Sequence, residues 1–143
     1  MSAPESLRLL AEDADDLAVI SAALQDALTK PGDIKWERQG RRLTIGFDRF
    51  RWEAPESVEE RVRAGFQLGG VLGVQARNLR HEADDVVLEL LMLTFEPSDP
   101  PSGRVTFTFA GGGDLAAEVE CIDAALADLS PPWPAPRPPE HDA

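Results

Sequence analysis

The chain has 143 residues, 43% of them apolar and 28% charged, which fits one folded globular domain and excludes a wholly disordered chain. Its 14 Lys and Arg against 26 Asp and Glu leave a net charge of −12, which argues against general nucleic-acid binding and against adsorption to anionic membranes. A single cysteine precludes an intrachain disulfide, and no apolar run reaches the ~18 residues of a bilayer span.

In chain order, Leu7–Leu10 predicts a short strand. Leu17, Ile20, Leu24, Ala27 and Leu28 then recur at helical spacing. Asp13, Asp15 and Asp16 ahead of them offer a cap and favourable charge at the positive end of the helix dipole, and Lys30 with Pro31-Gly32 closes the segment. Ile34 and Trp36 begin an extended stretch that turns at Gln39-Gly40. Leu43, Ile45 and Phe47 share one face of the next strand, whereas Phe50 and Trp52 continue in the opposite parity. A β-bulge near Asp48-Arg49 is therefore expected, with a strand end and a separate short strand as the alternative.

Val62, Ala64, Phe66 and Leu68 alternate up to Gly69-Gly70, which reads as a hairpin turn into a return strand carrying Leu72, Val74 and Ala76. From Val86 to Phe95 both parities are apolar, the pattern of a strand covered on both faces and so of a helix layer outside the sheet. Val105, Phe107 and Phe109 alternate with Thr106 and Thr108, and Gly111-Gly112-Gly113-Asp114 turns them into a partner strand with Leu115, Ala117 and Val119. Ile122, Ala125, Leu126 and Leu129 are spaced as the buried stripe of a last helix. Six of the twelve prolines fall in residues 131–143, which predicts a disordered tail after a single domain spanning 1–130. The expected fold is α+β: about seven antiparallel strands in a meander, curled into a sandwich or partly open barrel, with an N-terminal helix and a C-terminal capping helix. That order of elements is similar to the pleckstrin-homology-like fold.

Several segments also carry a family likeness. Leu9-Leu10-Ala11-Glu12-Asp13 leading into Asp16–Ser21, then Phe50-Arg51-Trp52-Glu53, Phe95-Glu96-Pro97, Phe109–Gly113 and Glu118–Ile122 resemble the bacterial family catalogued as a domain of unknown function, 2948. The resemblance runs from about residue 7 to the tail. It implies a small cytosolic bacterial protein and brings no activity, ligand or catalytic residue with it. The N-terminus, without the basic and apolar regions of a secretory signal, gives the same expectation of a cytoplasmic location.

The inventory for catalysis is thin. His81 and His141 are scattered, tyrosine is absent, and a lone Cys121 with two distant histidines does not make a zinc site, so neither a metal nor a cofactor is expected. Cys121, between Val119 and Ile122, reads as a small buried thiol. The acidic pairs Asp84-Asp85 and Glu59-Glu60 read as solvated loop residues rather than cation ligands. The glycine run ends in Asp114, whose charge repels phosphate, so it reads as a turn.

Charge distribution is more informative than its total. Residues 38–51 carry Arg38, Arg41, Arg42, Arg49 and Arg51 against Asp48, a local +4 that leaves −16 for the remainder. On the strand reading Arg49 and Arg51 point outward, and the cluster forms a binding surface for an acidic partner protein. The competing explanation is internal neutralisation by Glu53, Glu56, Glu59 and Glu60. The expected function is thus a non-enzymatic, protein-binding accessory or regulatory factor. Alternatives are a small-molecule-binding domain or minor enzyme with a barrel-mouth pocket, RNA binding through the same arginines and Trp36, and head-to-tail dimerisation. In the tail, Pro131–Pro134 and Pro136–Pro139 each hold a PxxP spacing, and Trp133 alternatively folds back as an anchor.

Overall fold

A computed structural model describes residues 6–79 and 86–135. In chain order its elements are β1 (Arg8–Ala11), α1 (Ala14–Ala23), β2 (Leu28–Thr29), a 3-10 turn at Pro31–Asp33, β3 (Ile34–Glu37), β4 (Arg42–Phe50) and β5 (Glu60–Leu68). There follow β6 (Val71–Arg77), β7 (Leu88–Pro97), β8 (Gly103–Phe109), β9 (Asp114–Val119), β10 (Ala124–Asp128) and β11 (Trp133–Pro134).

Period-two alternation dominates the chain, and it builds one antiparallel sheet of 11 strands among the described residues. One half runs β1-β10-β5-β4, with β11 also on β5 and β3 on β4; the other runs β7-β8-β9-β6. β2 joins them, because Leu28 pairs with Asp48 on one side and Glu89 on the other. The inward residues Leu43, Ile45, Phe47, Ala64, Phe66 and Leu68 meet Val105, Phe107, Phe109, Leu115, Ala117 and Val119 in a common core. Phe66 and Phe107 touch edge to face across it, with ring centroids 5.4 Å apart. α1 adds Leu17 and Ile20, and its C-cap residue Leu24, to the same core and packs against β1 and β7. Asp13 caps it, accepting the backbone N–H of Asp16 at 2.8 Å. No helix among the described residues is long and apolar enough to cross a membrane.

The expected seven-stranded, pleckstrin-homology-like arrangement with a C-terminal capping helix is overturned. Eleven strands and one α-helix stand in its place among the described residues. The segment read as the last helix is β10, with Ala124 and Leu126 buried and Ala125 and Ala127 turned outward. Its residues satisfy both periods, and an empty place between β1 and β5 decides the matter by offering hydrogen bonds on both edges. Gly69-Gly70 is not a hairpin either: β5 pairs with β4, β10 and β11, while β6 crosses to the other half and pairs with β9.

The helix also ends earlier than its apolar stripe. Asp26 takes a left-handed backbone (φ 62), and the bonds Asp26 N–H to Leu90 O and Leu90 N–H to Ala27 O turn the following residues into β2. No bulge occurs at Asp48-Arg49, where the β4–β5 ladder is continuous from Leu43–Leu68 to Phe50–Arg61. A bulge lies instead between Leu90 and Met92 of β7. It explains the apolar double parity of that strand: Leu90 and Leu93 both turn inward, and Met92 between them is 48% exposed. α1 does lie against β7, with Ser21 Oγ accepting the Leu93 N–H at 2.9 Å. The turn at Gly111 and Gly112, both at positive φ, joins β8 to β9 as expected.

Candidate functional site

The five arginines of residues 38–51 do not form one surface. β4 keeps strict alternation to its end, so Arg49 follows Leu43, Ile45 and Phe47 onto the inner face. It is 0% exposed, contrary to the outward direction expected for it. A buried guanidinium demands a partner for each of its five N–H groups, and the fold supplies them. Nε donates to Asp128 Oδ1 at 2.8 Å and Nη2 to Asp128 Oδ2 at 2.9 Å. Nη1 and Nη2 donate to Glu53 Oε1 and Oε2 at 2.9 and 2.6 Å, and Nη1 also reaches Phe50 O at 3.2 Å. Asp128, whose side chain is 3% exposed, accepts the Leu7 N–H as well. Arg49 therefore links β4, the loop after it, β10 and the start of the chain.

Arg51 serves the same network. Its guanidinium pairs with Glu60 and lies 3.9 Å from Glu53. Phe50, on the outer face, is covered by Trp52 at 4.7 Å, and Trp52 Nε1 donates to Gln25 O. Arg61 and Arg63, next along the outer face of β5, were not anticipated as paired residues. Arg63 bridges Asp33 and Asp48 while its guanidinium lies over Gly46, and Arg61 donates to Asp48 O. The signal for Arg63 is the bare Gly46, diagonal to it on β4, which leaves room for its long side chain to lie flat.

Burial of Glu53 opposes its ionisation, but the hydrogen bonds from Arg49, a backbone hydrogen bond and the charges of Arg49 and Arg51 together outweigh that and hold its carboxyl below the usual range. The sign follows: ionised Glu53 contributes stability above the usual carboxylate pKa, and that contribution disappears as pH falls through the lowered value. Unfolding midpoints in urea across an acid series should fall more steeply for the native chain than for Glu53→Gln. Parallel curves would mean that the Arg49–Glu53 contact carries no such linkage.

The other three arginines stay at the surface. Arg38 begins and Arg41 ends the turn between β3 and β4, with Arg41 in a left-handed backbone (φ 52) and its N–H bonded to Arg38 O. Arg41 pairs with Glu120 at 2.7 Å and its carbonyl accepts the Val71 N–H, which ties the turn to the crossing from β5 to β6. Arg38 and Arg42 are exposed and pair with no carboxylate among the described residues. Beside them opens a polar cleft of about 470 Å³ lined by Gly40, Arg42, Gln67, Gly69, Asp123 and Leu10.

The remaining candidates contribute little to a site. Cys121 is half-buried rather than fully enclosed. Glu60 is taken up by Arg51. Among the described residues no group of three or more His, Cys, Asp or Glu is placed to hold a metal ion. His81, His141, Asp84-Asp85 and the second PxxP lie outside the described residues. Trp133 pairs with Arg61 and Ala135 N–H bonds to Glu59 O, so this part of the tail folds back onto β5.

A family model described as "Protein of unknown function (DUF2948)" matches residues 7–141. No curated protein and no solved structure matches the chain.

Proposed function

The chain belongs to the DUF2948 family, and for it we propose a non-enzymatic binding role: an accessory or regulatory factor that docks an acidic segment of a partner protein on the turn bearing Arg38, Arg41 and Arg42. What supports the reading is the contrast between two sets of arginines. Arg49 and Arg51 are consumed by the protein's own carboxylates, whereas Arg38 and Arg42 remain exposed and without an ion-pair partner among the described residues. Unpaired guanidinium groups on a body of net charge −12 form a local attraction for carboxylates, with the planar fork suited to paired hydrogen bonds. The backbone beneath is held by two strands and by Val71, so the turn is presented rigidly.

The test is affinity capture with the native chain, Arg38→Glu/Arg42→Glu, and Arg8→Glu as an exposed control on β1. Partner recovery should fall at least about tenfold for the double variant, as expected when charge pairs at an interface become repulsive, and stay unchanged for the control. Equal recovery by all three baits would refute the reading.

A further inference from the structure

The polar cleft has a construction that the arginine turn alone does not explain. Leu43, Leu68 and Ala124 are register partners across β4, β5 and β10, and all three point into the core. The next residue outward on each strand is therefore Arg42, Gly69 and Asp123, in one row on the outer face. Gly69 N–H donates to Asp123 O at 2.8 Å, so the ladder still holds there. The middle position has no side chain. A cation and an anion thus flank bare backbone, with their Cα atoms two strand spacings, about 10 Å, apart. The Asp123 carboxylate leans over the gap, its Oδ2 lying 2.6 Å from where a Cβ on Gly69 would stand. Arg42 and Asp123 do not pair with each other, and neither pairs with any other charged group among the described residues. Gln67 and Ala125 form the floor, and Leu10, 76% exposed, forms an apolar wall.

We propose that this cleft binds a small zwitterion, a molecule whose carboxylate is held by Arg42 and whose ammonium group is held by Asp123 above Gly69. Opposite charges on facing walls favour a ligand carrying both complementary groups over one carrying either alone, and the amide of Gln67 supplies a further donor and acceptor. Free amino acids and the termini of short peptides share this chemistry. The inference goes beyond partner docking: the two share Arg42, but only the zwitterion site uses Asp123 and Gly69, so Asp123→Asn tells them apart.

Titration of the full chain with alanine and with alanyl-alanine, followed by amide NMR, separates the two sources. At least one should give saturable shifts centred on Gly69, Gln67 and Asp123. N-acetylalanine and alaninamide, each lacking one charge, should bind at least about tenfold more weakly, the loss expected on removing one charge-assisted contact. Arg42→Gln and Asp123→Asn should each weaken the zwitterion by a similar factor, and the unchanged amides elsewhere report that both variants are folded. The inference fails if neither zwitterion shifts those amides, if the capped analogues bind as well, or if Asp123→Asn binds like the native chain. Failure here with successful partner capture would remove the zwitterion site and leave the docking surface, and the reverse pattern would do the opposite.

Discussion

Arg49→Met should lower the unfolding free energy by about 3–5 kcal/mol, read from urea midpoints, because it leaves Asp128 buried without its counter-charge. The side chain that replaces it fits the inner face of β4, so the loss arises from electrostatics rather than from shape. Arg49→Lys should recover little of it, since one ammonium cannot serve Asp128, Glu53 and Phe50 O in the directions that the guanidinium serves. Arg49→Met/Asp128→Asn should be more stable than Arg49→Met alone, because the amide oxygen can still accept the Leu7 N–H while the uncompensated charge is gone. A change in Arg49→Met below about 0.5 kcal/mol, the range of ordinary surface substitutions, would mean that the network is idle.

Phe107→Ala should cost a comparable amount, about 3–5 kcal/mol, through a cavity at the centre of the molecule. Phe107 lies on β8 and Phe66 on β5, so their edge-to-face contact is where the two halves of the sheet meet. Neither half can close over the lost volume without moving a ladder that is paired on both edges. The measurement is the same denaturant series, with an unchanged slope showing that the native state stays compact. Phe95→Ala, at the half-buried rim of the core, should cost distinctly less. Equal losses at the two positions would show that the core is not organised around the Phe66–Phe107 contact.

Much of the sheet was legible from local pattern. Ile34–Trp36, Leu43–Phe47, Val62–Leu68, Val105–Phe109 and Leu115–Val119 alternate cleanly, and each lies in a strand. The Asp13 cap and the glycine turn were equally readable, because both depend on residues close in sequence. What was not legible depends on partners far along the chain. Ala124–Asp128 is rich in small residues that suit either period, and only β1 and β5 on its two sides make it a strand. The break after Ala23 is likewise set by Leu90, not by any helix-stopping residue nearby.

The arginines show the same limit at the level of a site. Arg49 carried a local signal, since its odd number places it in line with Leu43, Ile45 and Phe47. A charged residue on an inner face nonetheless reads as an error unless its counter-ions are known, and Asp128 stands 79 residues away. Counting charge in residues 38–51 merged arginines in two different surroundings, Arg49 and Arg51 paired with the protein's own carboxylates and Arg38 and Arg42 exposed. The Arg42–Gly69–Asp123 row was invisible for a further reason: it exists only once three strands have been set in register.

The insertion of β10 between β1 and β5 also bears on how this protein is made. Its neighbours on either side are synthesised first, and until residues 124–128 leave the ribosome both present unsatisfied backbone edges. The nascent chain therefore carries two open strand edges from the synthesis of β5 until that of β10, and β10 both fills the gap and delivers the Asp128 carboxylate that pairs with Arg49.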